Sequence, residues 1–149
     1  MCNFIRCSFI DDGNLVLFDS FDDLIWDTGK PRAELKWEKI FKTLPFDSYS
    51  VIGDQLNEGE RLKEGEMLAN NGFYAVMQLD GNFVLYSSNT FNDNNLLWSS
   101  KTASSPFQRP FFINIANRNL IMNDENNKIV WSTEIHDEVT NNLYLKLQG

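Results

Sequence analysis

The sequence predicts an all-β fold built from three similar segments, residues 9–28, 77–100 and 114–133. Each segment has an Asn, then mostly apolar residues, a polar loop, and an aliphatic residue with a Trp, followed by Asp or Ser. The Asn precedes the Trp by twelve residues in the first and third segments and by sixteen in the second, whose loop is longer. Short apolar runs bounded by Gly, Asn and Asp are typical of strands joined by tight turns. Internal repetition indicates one supersecondary unit used three times.

Turn signals and large aromatic residues justify the individual elements. The dipeptides Asp12-Gly13 and Asp80-Gly81 predict tight turns, so the segments are interpreted as repeated β-hairpins. The Trp near the end of each segment holds an equivalent place and is large enough for a shared core. We therefore expect three indoles to meet near a central axis: Trp26, Trp98 and Trp131.

Two other stretches lie between the first and second segments. Residues 30–46 carry apolar side chains at helical spacing and end near Pro45, which predicts a short amphipathic helix. Its basic face could meet a membrane or an acidic partner, but a solvated face is the commoner arrangement and the one we favour. In residues 54–74, Leu recurs every six residues with Gly midway, which predicts brief strands and turns. These residues are Leu56, Leu62 and Leu68, with Gly59 and Gly65.

The tail, residues 139–149, alternates Leu with polar or aromatic residues and resembles the opening strand of a further repeat. A strand with unpaired backbone N–H and C=O groups tends to pair with the edge strand of a sheet. The tail is therefore expected to close either its own sheet or that of a second copy. We favour a second copy and predict a homo-oligomer, a dimer.

Length and composition limit the classes of function. The 149 residues suit one domain with a proper core, and 42% of them are hydrophobic. A net charge of −8 argues against nucleic-acid binding and against binding to anionic membranes. No apolar run is long enough for membrane insertion, and no secretory signal is recognised, which predicts a cytoplasmic protein. Secretion without a visible signal is the alternative. Cys2 and Cys7 are interpreted as free thiols.

An enzyme is not predicted. The single histidine, His136, is interpreted as a surface residue, and no catalytic or phosphate-binding motif is found. No cofactor and no metal are expected.

The stretch MQLDGNFVLY, residues 77–86, carries the candidate site. Five alternating positions combine hydrogen-bonding groups with one small apolar side chain: Gln78, Asp80, Asn82, Val84 and Tyr86. A hexose offers hydroxyls that donate and accept, together with C–H patches, so these residue types suit a sugar. Nine residues of straight strand span roughly 26–30 Å, far more than one sugar ring, so the segment must fold back. We expect a three-residue loop, Asp80–Asn82, that places Gln78 opposite Val84.

The spacing Gln-x-Asp-x-Asn-x-Val-x-Tyr resembles the signature of the bulb-type, monocot mannose-binding lectins. The resemblance covers residues 54–134 well and 7–28 moderately. It implies a β-prism II fold of three four-stranded antiparallel sheets around a pseudo-threefold axis. It also implies a mannose pocket in which Asp80 and Asn82 serve the 2-hydroxyl, Gln78 the 3-hydroxyl and Tyr86 the 4-hydroxyl.

The other two repeats depart from this signature. Repeat one keeps a degenerate site, Asp12, Asn14 and Val16, with Ile10 and Phe18 at the Gln and Tyr positions. Repeat three reads Ile115, Asn117, Asn119, Ile121 and Asn123. Both are expected to be weak or inactive, leaving one intact site. Asp and Asn at turns often bond only to backbone groups, and we favour that interpretation for these two repeats.

The order of the repeats also differs from the family, which suggests either a circularly rearranged prism or strand exchange between chains, and we expect a single domain, 1–149. Its expected parts are repeat one (7–28), the helical insert (30–46), repeat two (54–100), repeat three (101–134) and the tail strand (139–149). The predicted function is recognition of mannose or mannose-rich glycans. The alternative is a cytoskeletal, vesicle-associated or toxin-like protein-interaction module with weak or lost sugar binding.

Overall fold

The computed structural model describes residues 13–29, 45–103, 109–135 and 142–149. Several predictions lie outside these residues: those for Cys2, Cys7, Asp12 and His136, and nearly all of the predicted helix at 30–46. The last residue of that predicted helix begins a short 3-10 helix, Phe46–Ser48.

The described residues form thirteen strands in three sheets, so the predicted all-β, three-sheet class is confirmed. The first sheet has the order β2-β1-β13-β4, the second β3-β6-β7-β8-β9 and the third β12-β11-β10-β5. The strands are β1 Asn14–Asp19, β2 Leu24–Asp27, β3 Ser50–Gly53, β4 Gln55–Asn57, β5 Arg61–Lys63, β6 Glu66–Asn70, β7 Phe73–Met77, β8 Phe83–Tyr86, β9 Leu96–Ser99, β10 Phe112–Ala116, β11 Asn119–Asn123, β12 Ile129–Ser132 and β13 Leu143–Gln148.

The expectation of three four-stranded antiparallel sheets is wrong for the second sheet. That sheet has a fifth strand, β3, which runs parallel to β6 with Ser50 opposite Glu66. The strand comes from residues that the sequence pattern assigned to no repeat. Two of its residues point out at the sheet edge, Val51 with 50% and Ile52 with 40% of its surface exposed.

The Leu and Gly periodicity of residues 54–74 has a simple structural meaning. Each successive Leu lies on a different short strand, and each of these strands joins a different sheet. All three side chains are fully buried in one shared core: Leu56 on β4, Leu62 on β5 and Leu68 on β6. The expected repeat 54–100 therefore does not map onto one sheet, because its first two strands complete the other two sheets.

The three equivalent indoles meet one another, as predicted, and are partly buried against this core. The ring centroids of Trp26 and Trp98 lie 5.8 Å apart, those of Trp26 and Trp131 5.9 Å, and those of Trp98 and Trp131 5.6 Å. Each pair meets edge to face, an arrangement that aromatic quadrupoles favour.

The hairpin predicted at Asp12-Gly13 lies, except for Gly13, outside the described residues, whereas β1 and β2 of the first repeat do form an antiparallel hairpin. Strand β1 lies between β2 and β13, and its antiparallel partner β13 places Leu145 opposite Leu17. The tail therefore closes the first sheet of its own chain. The alternation of the tail explains this position. Its three leucines enter the core: Leu143, Leu145 and Leu147. The side chains between them stay partly exposed.

Among the described residues, no helix has both the length and the apolar character needed to cross a membrane.

Candidate functional site

The signature residues lie on the β7–β8 hairpin of the second sheet. Its loop has three residues, as predicted, but these are Leu79–Gly81, so the partner of Gln78 lies two residues from the expected Val84. Gln78 lies opposite Asn82, with the Gln78 N–H donating to the Asn82 carbonyl at 3.0 Å, and Val84 lies opposite Val76. Gly81, at φ +89°, supplies the left-handed backbone that closes the turn. Opposed residues share a face and side chains repeat every two positions, so the hairpin still places Gln78, Asn82, Val84 and Tyr86 on one face.

Three of the polar side chains form one chain of hydrogen bonds around this turn. The Tyr86 hydroxyl donates to Gln78 Oε1 at 2.5 Å. Gln78 Nε2 donates to the Asp80 carboxylate, at 3.2 Å to Oδ1 and 3.3 Å to Oδ2. Asp80 Oδ1 also accepts from the Asn82 N–H at 3.0 Å. The side chains that resemble a sugar site are thus brought together and mutually oriented.

Asn82 has a structural role besides any role in binding. Its Oδ1 accepts from Ser100 Oγ and from the Thr102 N–H, both at 3.2 Å, and Ser100 Oγ accepts from the Phe83 N–H at 3.0 Å. The other sheets repeat the Asn-to-hydroxyl contact with Asn14 and Thr28, and with Asn119 and Thr133. A Ser or Thr two residues after each Trp was the sequence signal for this interaction, which we call the Asn clip.

The site is covered by aromatic side chains. Val84 and Tyr86 have no exposed surface, and Gln78 and Asn82 retain 1% each. Phe91 stacks on Tyr86, with centroids 4.5 Å apart and planes inclined by 14°. We call this cover the aromatic cap: Phe46, Tyr49, Tyr74 and Phe91.

The cap depends on the loop that lengthens the second repeat. This loop, residues 87–95, is held by two hydrogen bonds. The Ser87 N–H donates to the Asn95 carbonyl, and Asn95 Nδ2 donates to the Thr90 carbonyl at 2.7 Å. Asn92 caps the 3-10 helix Asp93–Asn95 by accepting from the Asn94 N–H. The longer Asn-to-Trp spacing marked this loop in the sequence, but nothing in that spacing indicated that Phe91 folds back over Tyr86.

Asp80 is the one signature residue that keeps a partly exposed side chain. Burial raises the pKa of Asp80 above its usual range, and the hydrogen bonds from the Asn82 N–H and the Gln78 amide act in the opposite direction. A carboxylate at this place is a strong acceptor for a ligand hydroxyl when it is ionised.

The third repeat has lost the site through its turn. Asn117 and Arg118, at φ +50° and +63°, form a two-residue loop, so Ala116 lies opposite Asn119. Ala116 therefore occupies the place of Gln78, and no residue corresponds to Asp80. The expected equivalence of Ile115 with Gln78 is wrong, because Ile115 faces the core.

The degenerate first-repeat residues are only partly described. Asn14 and Val16 lie on β1 and are buried, while Asp12 falls outside the described residues. Across the sheet Asn14 lies opposite Gln148 and Val16 opposite Lys146, both on β13.

A separate cavity of about 560 Å³ lies on the third sheet, and none of the signature residues lines it. The side chains that line it include two basic residues, Arg61 and Lys63, and two acidic residues, Glu64 and Glu125. The described residues contain no group of three or more His, Cys, Asp or Glu side chains that could hold a metal ion.

No family model matches the chain, and no curated protein matches it. Solved structures do. A lectin from Colocasia esculenta is 26% identical, with a TM-score of 0.51 over 64% of this chain and 78% of that one. The Colocasia esculenta agglutinin with mannose bound is 25% identical, with a TM-score of 0.50 over 64% and 77%. A lectin from Allium sativum is 22% identical, with a TM-score of 0.53 over 64% and 85%. The resemblance seen in the sequence is thus confirmed, and the chain has the three-sheet β-prism II fold of the bulb-type mannose-specific lectins.

Proposed function

We propose that the protein is a carbohydrate-binding lectin that takes mannose, free or in mannose-rich glycans, on the second sheet. The ligand would contact Gln78, Asp80, Asn82, Val84 and Tyr86. The observation that carries this proposal is the hydrogen-bonded series from Tyr86 through Gln78 to Asp80, on the same hairpin face as Val84. This arrangement offers donors, acceptors and a small apolar surface together, which is what a hexose requires. Mannose is the ligand found in the structurally similar agglutinin from Colocasia esculenta.

Binding at this site requires the aromatic cap to open, because Tyr86 and Val84 have no exposed surface beneath it. A ligand then selects the open conformation. Its apparent affinity equals the affinity of the open conformation multiplied by the fraction of molecules that are open. An aromatic pair contributes about 0.5–1.5 kcal/mol beyond burial, so loss of the Phe91 stack makes opening roughly 2- to 12-fold easier. A single monosaccharide site of this kind is expected to be about millimolar even when open. Useful avidity would come from several sites in one assembly.

A second candidate function is favoured by the same cap. The polar atoms of the site already bond to one another, and apolar rings cover them. A scaffold whose sugar face is permanently closed would serve as a protein-interaction module.

Titration of the ¹⁵N-labelled protein with methyl α-mannoside, followed by NMR, separates the two candidates. We expect shifts at residues 78–86, tighter binding in Phe91→Ala, and loss of binding in Asp80→Asn. Phe21→Ala is the matched control, because Phe21 lies in the equivalent loop of the first repeat but is 73% exposed. If wild type and Phe91→Ala both stay folded and neither shows shifts at 78–86, sugar binding is rejected and the interaction module replaces it.

A further inference from the structure

The cavity on the third sheet lies over a row of three neighbouring strands. Phe112 of β10 lies between Lys63 of β5 and Asn123, the last residue of β11. Residues of β5 line the cavity on one side of this row, and residues of the β11–β12 loop line it on the other. Its volume, about 560 Å³, falls within the range of about 300–1,000 Å³ that is typical of sites for small molecules.

Two basic side chains of β5 lie side by side at this cavity. Arg61 and Lys63 are both exposed, whereas Leu62 between them is fully buried. Residues two apart on a strand share a face and lie about 7 Å apart. The two cationic groups are therefore neighbours in one wall of the cavity.

These two cations have no acidic partner, although the chain has 21 acidic and only 13 basic residues. Arg109 is paired with Glu64 and Lys146 with Asp54, but no acid among the described residues lies within ion-pair distance of Arg61 or Lys63. The nearby Glu64 is not available to them. Its carboxylate accepts from Arg109 Nε at 3.1 Å and from the Phe111 N–H at 2.9 Å, and its side chain is only 11% exposed.

Arg61 is held in a position that suits an anion. Its guanidinium carbon lies 4.3 Å from the ring centroid of Phe112. A guanidinium over an aromatic ring keeps the N–H groups in its own plane for other partners, and this planar fork matches a carboxylate or a phosphate. Pro110, Phe111 and Phe112 add apolar surface to the same cavity.

We propose that this cavity binds a small organic anion with a carboxylate or phosphate head and an apolar body about the size of one aromatic ring. The head lies against Arg61 and Lys63, and the body lies against Pro110 and Phe112. Glu125, exposed in the β11–β12 loop, repels a second negative charge at the far end of the ligand. A neutral hexose offers no charge to the two cations, so this ligand class differs from the one proposed for the second sheet.

The test is an NMR titration of the full ¹⁵N-labelled chain with four probes that share one ring: phenylacetate, phenyl phosphate, neutral phenylacetamide and cationic phenethylamine. Both anions should shift the amide signals of residues 61–64, 111–112 and 125–127. Concentrations up to about 10 mM suffice, because a fragment of this size is expected to bind with about millimolar affinity. The neutral and cationic probes should leave these signals in place. The anion that binds more tightly identifies the preferred head group.

Arg61→Gln is the decisive variant. It should weaken phenylacetate binding roughly 10- to 100-fold, which is the fold-change that corresponds to a lost hydrogen bond to a charged group. Lys146→Gln is the matched control, because it makes the same change in net charge at a partly exposed residue of the first sheet and should leave binding unchanged. Glu125→Gln should bind phenylacetate more tightly, since it removes a like charge.

Three results would overturn the inference: no shift with either anion, equal shifts with phenylacetamide and phenylacetate, or equal phenylacetate binding by Arg61→Gln and Lys146→Gln. Each would show that the cavity does not select an anion through Arg61. Failure of the proposed function is a separate result, because it is read from residues 78–86 in the titration with methyl α-mannoside.

Discussion

At the residue scale, the Asn of each repeat connects two strands through a hydroxyl side chain. In the third sheet, which has lost the signature site, the Asn clip stands alone and can be examined without a ligand. Thr133 Oγ1 donates to Asn119 Oδ1 at 2.8 Å and accepts from the Leu120 N–H at 3.2 Å. The same contact in the second sheet means that Asn82 stabilises the fold whether or not it also binds a sugar.

Thr133→Val should therefore destabilise the protein although it keeps the shape of the side chain. The variant leaves the N–H of buried Leu120 without the acceptor that Thr133 supplies, which costs about 1–3 kcal/mol. Urea denaturation measures the change, and Thr133→Ser, which keeps the hydroxyl, serves as the control. Equal stability of the Val and Ser variants would show that the Asn clip contributes nothing.

A second prediction at this scale concerns Asp80 and pH. The pKa of Asp80 is raised in the folded protein, chiefly by burial, so the folded state holds this proton more tightly than the unfolded state does. Its stabilising contribution is complete below the unfolded pKa of about 4 and is lost as the pH rises through the folded pKa. Relative to Asp80→Asn, the wild-type free energy of unfolding should thus fall with rising pH and then level off. Urea denaturation of both proteins at several pH values measures this, and a difference that rises with pH would contradict the assignment.

At the element scale, β13 is the strand that completes the first sheet. It pairs with β1 on one side and with β4 on the other, and its three leucines enter the core shared by all three sheets. Tyr144, Lys146 and Gln148 stay on the outer face. The strand thus ties the first sheet to the core and covers that sheet with partly exposed side chains on its other face.

Leu145→Ala should cost about 2–5 kcal/mol, because the side chain is fully buried between β1 and β4. The neighbouring Lys146→Ala is the control. Its partly exposed ion pair with Asp54 is expected to contribute about 1 kcal/mol or less. Chemical denaturation of both variants checks the contrast. Similar costs for the two substitutions would mean that β13 is not packed as described.

The elements also show what the sequence could and could not predict. Period-two alternation identified the signature hairpin and the tail, because it depends only on which face of a strand is buried. It did not identify the partner of β1, since the tail and the residues before Asp12 both have the character of a strand. The β7–β8 loop was placed one residue too late, which displaced each cross-strand partner by two residues, because the register depends on which three residues form the loop around Gly81. The parallel strand β3 and the aromatic cap were missed because both are long-range contacts without a periodic signal.

At the scale of the whole molecule, the three repeats enclose one core, and three partly buried indoles that contact one another pack against it. This was the most predictable part of the structure, because the repeats of the sequence already placed Trp26, Trp98 and Trp131 equivalently. Since the tail lies in its own sheet, self-association has to use another surface. The edge strand β3, with its exposed Val51 and Ile52, is the surface we expect to be used.

Homo-oligomer formation stays a prediction and is tested by light scattering at several concentrations. We expect a dimer for the wild type and a monomer for Val51→Lys, because a charge on an edge strand opposes pairing with another edge. Ile129→Lys, at a residue that is 55% exposed on the third sheet, is the control and should stay dimeric. A wild-type monomer at every concentration would exclude dimerisation.

The pairing of β1 with β13 has a consequence for how the protein is made. Residues 14–19 leave the ribosome early, yet one of their two neighbouring strands, residues 143–148, is translated more than a hundred residues later. At about 5–20 residues per second, this interval lasts roughly 6–25 s. Contacts so far apart in sequence raise the contact order and slow folding. One edge of β1 therefore stays unpaired until β13 has been translated, while the other two sheets can already assemble. A chaperone that shields β1 during translation would favour correct pairing of β1 with β13.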